Sequence, residues 1–154
     1  MGIDDDIAFL ERVPTLGLLG RAALRILAIG AETRYVHTGE VLFYAGDPAD
    51  SGFVVQEGTF SVTLSDGEGG KTINVGTGVL LGELALLTAT TRPATVTALE
   101  PATVLRIPRS LFLKMLEGYP DAATRLREIV AKRTDQAARE IYAVRSALDG
   151  PEST

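Results

Sequence analysis

The chain has 154 residues, the size of one ordinary domain with a single core, which argues against a multi-domain enzyme. Its composition, 45% hydrophobic and 23% charged with 16 glycines and 7 prolines, is that of a globular chain rich in turns rather than a disordered one. Fifteen basic residues against 20 acidic ones give a net charge of -5, which repels a phosphate backbone and argues against nucleic acid as a partner.

The N-terminus, with Asp4, Asp5 and Asp6 after Ile3, lacks the positive start of a secretory signal. No apolar run reaches the roughly 18 residues of a membrane span, so no membrane segment is expected. Together with the absence of cysteine, this suggests a cytoplasmic protein. Apolar residues at helical spacing, among them Ile7, Leu10, Leu24 and Leu27, predict two short helices within 4–30, broken near Pro14 and Gly17.

From 33 to 108 the pattern changes to short β-branched runs divided by turn residues, the mark of a sandwich or roll. Phe60, Val62 and Leu64 alternate with polar residues and are expected to share an interior face. Residues 65–70 have the composition of a hairpin tip. Gly70-Lys71-Thr72 resembles the end of a phosphate-binding loop, but Ser65 stands where that loop needs glycine and a strand pattern follows where it needs a helix. The lone His37 has no second ligand near it, which argues against a histidine metal site or a catalytic triad. Asp47 and Asp50 flank Pro48 and read as turn residues rather than a metal site. No metal and no cofactor are expected.

After 108 helix resumes. Ser110 is expected to cap a helix from Leu111 to Glu117, and Pro120 to open a long one within 110–148, leaving 149–154 as a disordered tail. At 1.5 Å per residue the long helix would reach roughly 42 Å. Leu126, Val130, Ala137, Ile141, Val144 and Leu148 recur along it in steps near three and four. They predict either a homodimer through the C-terminal helix or packing back onto the same domain.

One stretch stands apart. Gly82-Glu83-Leu84-Ala85-Leu86-Leu87 places helix formers between strands, and the chain returns to strand through Thr90-Thr91-Arg92-Pro93-Ala94. A helical turn there exposes amides that favour an anion, and the Arg92 guanidinium can close over the same anion. Glu83 suits such a site if the ligand also offers hydroxyls, because a carboxylate only accepts hydrogen bonds. The three together describe a phosphorylated sugar. The alternative is a structural Glu83–Arg92 ion pair.

These residues resemble the phosphate-binding cassette of the cyclic-nucleotide-binding domains, shared by the catabolite activator protein, protein kinase A regulatory subunits and cyclic-nucleotide-gated channels. Gly82-Glu83-Leu84-Ala85-Leu86 with Arg92, Ala94 and Thr95 carries the likeness, supported by Gly39-Glu40, Gly46-Asp47, Asp50 and Gly58, over Phe9 to Arg133. The resemblance implies an α+β, mainly β fold: a β-roll of double-stranded β-helix type with short N-terminal helices and a long C-terminal lid helix, forming a single domain over 1–148. It also implies a cAMP or cGMP ligand. Arg92 would hold the cyclic phosphate with help from the Ala85 amide, beside Leu84 and Ala94 of the cassette. Glu83 would accept the ribose 2′-hydroxyl, Gly82 would admit the sugar, and Val62 and Arg133 would lie against the base.

Pro93 departs from the family pattern. It offers no amide to phosphate and no hydroxyl to guanine, so cAMP is preferred over cGMP. The expected function is a regulatory sensor, not an enzyme, that signals by docking of the C-terminal helix to an unknown protein target, with no DNA-binding domain in this chain. A degenerate fold acting as an interaction module without nucleotide is the alternative, and a small β-roll enzyme the least supported reading.

Overall fold

The computed structural model describes residues 2–64, 71–129 and 131. Two helices come first: α1 (Ile3–Glu11), with three aspartates in its first turn where the helix dipole favours them, and α2 (Arg21–Gly30), joined through a 3-10 turn at Leu16–Leu18. Ten short strands follow: β1 (Glu32–Val36), β2 (Val41–Phe43), β3 (Pro48–Ala49), β4 (Ser51–Glu57), β5 (Phe60–Leu64), β6 (Thr72–Val75), β7 (Leu80–Leu81), β8 (Thr90–Thr91), β9 (Ala94–Ala98) and β10 (Ala102–Pro108) among the described residues. A second 3-10 turn, Leu84–Leu86, separates β7 from β8, and α3 (Arg109–Gly118) leads to a helix over 120–129.

The strands form two antiparallel four-stranded sheets, β1-β10-β4-β7 and β2-β9-β5-β6, with β3 and β8 as a small third pair. The fold is a mainly antiparallel β-roll with helices packed on it. Its alternation of side chains creates two cores. In β4, Phe53 and Val55 enter the roll interior while Val54 between them packs with α1, α2 and α3. In β10, Ala102 and Val104 face the roll while Leu105 and Ile107 face the helices. Both strands are therefore apolar on both faces, as strands buried on two sides must be.

Two details differ from the sequence reading, and a third agrees with one of its two alternatives for the C-terminal helix. Leu64 is exposed at the end of β5, whereas Phe60 is fully buried and Val62 packs at the edge of the roll core. Ser110 does not cap α3, because Arg109 is already helical and Pro108, with its fixed φ, takes the N-cap position. Leu126 is 1% exposed within the helical core. It packs against its own domain and is unavailable to a seam between chains. Val130, Ala137, Ile141, Val144, Leu148 and the tail lie outside the described residues. So does the hairpin tip 65–70, although Thr63 pairs with Thr72 and Lys71-Thr72 therefore leads into strand rather than helix.

Candidate functional site

The site begins with a turn. Ala45-Gly46-Asp47 reverses the chain, with Gly46 at φ 91 and the Asp47 carboxylate accepting from the Tyr44 amide at 3.0 Å, an acidic residue serving its own turn as expected. The turn then grips a distant residue. The Gly46 amide donates to Arg92 O and the Arg92 amide to Asp47 O, both at 2.8 Å. Together with the β3–β8 pairing of Pro48 with Thr91 and Ala49 with Thr90, these bonds fix the backbone of Arg92 and send its side chain inward.

Arg92 is 5% exposed. The carbon of its guanidinium lies 4.2 Å from the Phe43 ring centre and 5.4 Å from that of Phe53, a cation packed against two neighbouring aromatic rings whose centres are 5.8 Å apart. Nη2 donates to Ser51 Oγ at 3.3 Å. Ser51 shares the interior face of β4 with Phe53 and Val55, which is why its hydroxyl meets the arginine. Nη1 is buried with no hydrogen-bond partner. Burial lowers the pKa of Arg92, and the nearby carboxylates of Asp50 and Asp47 oppose that shift. Arginine remains charged in such surroundings. At Asp50, a hydrogen bond with the Ser51 hydroxyl is the main cause that holds the carboxyl below its usual range, assisted by the charge of Arg106, whose Nη2 lies 3.3 Å away.

Gly82 stands against the unpartnered nitrogen. Its φ of 82 is one that L side chains rarely adopt, and a Cβ there would fall 2.5 Å from Arg92 Nη1 and 3.2 Å from Ser51 O. Only glycine leaves this nitrogen room. Gly82, Glu83, Leu84, Ala85, Arg92 and Pro93 are among the residues that line a cavity of about 230 Å³. A larger groove of about 610 Å³, walled by Leu87, Leu113 and Leu126, lies apart from this chemistry.

Glu83 and Arg92 take different partners. Glu83 Oε2 accepts from Thr15 Oγ1 at 2.9 Å, while Arg92 reaches Ser51, so the structural ion pair weighed from the sequence does not form. The Ala85 amide, expected at a phosphate, donates instead to Gly82 O at 3.1 Å within the 3-10 turn. Leu84 is 53% exposed and Ala94 is buried on β9. Val62 lies beside Val96 across the β5–β9 register, away from the Arg92 cavity. Arg133 falls outside the described residues. Phe43, Ser51, Phe53 and Thr15 were not singled out in the sequence, where they read as ordinary strand and loop residues. Among the described residues no cluster of three or more His, Cys, Asp or Glu could hold a metal, and no helix is long and apolar enough to cross a membrane.

A family model described as the cyclic nucleotide-binding domain matches residues 33–119. A cyclic nucleotide-binding-like protein from Brucella abortus is 39% identical with a TM-score of 0.66, covering 74% of this chain and 99% of that one. The N-terminal domain of a transcriptional regulator from Streptomyces coelicolor is 30% identical with a TM-score of 0.74, covering 84% and 94%. A lysophospholipase from Emericella nidulans is 32% identical over 120 residues, 76% of this chain but 8% of that enzyme. The chain thus spans a small part of the lysophospholipases it matches. The β-roll, the cassette turn before a buried arginine and the match over most of the strands agree, and this chain belongs to the cyclic-nucleotide-binding domain family.

Proposed function

We propose that this chain is a regulatory sensor domain that binds cAMP in preference to cGMP, passes the signal to a protein target through its C-terminal helix, and performs no chemistry itself. The observation that carries the reading is the buried Arg92 guanidinium with Nη1 lacking an acceptor and facing Gly82. Burying a cation that has no carboxylate in direct contact and one N–H group without an acceptor is costly, even with Asp50 and Asp47 nearby. A cyclic phosphate supplies both the negative charge and the acceptor, in a geometry suited to the guanidinium fork. Glu83 on the cavity wall repels a bare anion but accepts a hydrogen bond from a ribose hydroxyl, which favours a sugar phosphate over inorganic phosphate.

The preference for cAMP rests on Pro93, which lines the cavity and offers neither an N–H nor a hydroxyl to guanine. One observation favours the alternative, a nucleotide-free interaction module: the Ala85 amide is engaged within its own turn, leaving the cassette fewer donors. Calorimetry with cAMP, cGMP and inorganic phosphate separates the two. The sensor reading expects cAMP to bind most tightly, and Arg92→Leu to weaken it about 30-fold or more, or about 2 to 5 kcal/mol. No binding of either nucleotide overturns the sensor reading and leaves the interaction module, and unchanged affinity in Arg92→Leu removes the arginine from the phosphate.

A further inference from the structure

Thr15 sits in the connection between α1 and α2, 68 residues before the glutamate that its hydroxyl meets. Two features set it apart. Among the described residues it is the one non-glycine residue with positive φ, at φ 78 and ψ -51, a conformation that a β-branched side chain adopts only when its surroundings impose it. It is also 4% exposed, so its hydroxyl has given up water. The flanking Val13 and Leu16 are buried in the helical core, which holds the strained backbone in place. Glycine would take this φ without strain. What threonine adds is a hydroxyl aimed at Glu83, 2.9 Å from Oε2.

We propose that Thr15 is the positioning residue for Glu83, and that through it the helical layer sets the preference of the site for a ribose over a deoxyribose. The inference rests on the cyclic-nucleotide reading of the same cavity. An ionised carboxylate has about four acceptor positions on its two oxygens. The bond from Thr15 occupies one and fixes the rotamer of a side chain that lines the cavity, so the carboxylate meets the ribose 2′-hydroxyl already oriented. Without that bond, more of the ordering of the Glu83 side chain would draw on the binding energy of the ligand.

The test compares cAMP with its 2′-deoxy analogue by calorimetry. The wild-type chain is expected to prefer cAMP by about tenfold or more, the value of one hydrogen bond to a charged acceptor. Thr15→Val keeps the branched shape and loses the hydroxyl; it is expected to abolish most of this preference while leaving affinity for the deoxy analogue unchanged. Thr15→Ser is expected to restore the preference. Thr15→Gly suits the backbone and lacks the hydroxyl, so it repeats the test in a chain relieved of strain if Thr15→Val fails to fold. A preference that survives in Thr15→Val or Thr15→Gly, or an equal loss for both ligands, overturns the proposal. A wild-type chain that binds neither nucleotide overturns the site reading and this inference with it. A wild-type chain that binds both alike removes the role of Thr15 and leaves the phosphate site standing.

Discussion

At the scale of single residues, Arg92 is a place where binding and stability pull apart. Its guanidinium is removed from water, its aromatic neighbours return part of that cost, and Nη1 receives nothing. Replacing a buried charge by an apolar side chain of similar volume is often neutral or stabilising. Arg92→Leu is therefore expected to raise the ligand-free melting temperature while it abolishes tight nucleotide binding. A gain of about 1 kcal/mol corresponds to roughly 2–4 °C at this chain length, which a thermal melt without ligand resolves. A lower midpoint would mean that the bond to Ser51 and the two rings outweigh the desolvation. Thr15 shows a related economy, since backbone strain in the helical layer holds a hydroxyl where the cavity needs one.

At the scale of elements, the 3-10 turn Leu84–Leu86 is held from outside. Arg109, the first residue of α3, donates through Nη1 to Ala85 O at 3.2 Å, Thr88 O at 2.9 Å and Ala49 O at 2.9 Å. One cationic nitrogen thus joins the cassette, β3 and the start of a helix. Arg109→Met keeps much of the side-chain length but none of the donors. It is expected to cost about 1 to 3 kcal/mol of stability and to speed amide hydrogen exchange at 84–88 more than in β4, which denaturant melts and exchange measurements check. The run from Gly82 to Arg92 was legible in the sequence because its parts are contiguous and its residue types are unusual for a strand region. Ser51 and Thr15 were not, because they reach the site across 41 and 68 residues, distances bridged only by strand pairing and helix docking. Phe43 and Phe53 matched the alternation of a core strand, and nothing in that pattern tells an aromatic that packs on leucine from one that packs on a cation. Ser110 misled because a good capping residue was outranked by Pro108, which precedes it and fixes the entry into α3.

At the scale of the whole molecule, β4 and β10 divide the interior into a helical core and a roll core; the turns and alternating strands made a sandwich or roll legible, and the family resemblance chose the roll. The partition was not legible, because a strand buried on both faces loses the two-residue rhythm that reveals which side is which. Leu126 belongs to the helical core, so Leu126→Ala is expected to cost about 2 to 5 kcal/mol as a cavity-forming change. The loss should be the same at every protein concentration in thermal melts; a midpoint that moved with concentration would place this residue between chains instead. The cassette reaches into both cores. Leu86 is buried among the helices and lies close enough to Gly52 that a Cβ there would meet its methyl groups at 3.1 to 3.3 Å, while Arg92 points into the roll. If the proposed ligand binds Arg92, it acts on a segment whose other arm, at Leu86, is wedged among the helices. A methyl group added between Gly52 and Leu86, as in Gly52→Ala, would press on Leu86 within ordinary reach of Gly82 and so disturb that segment from its underside.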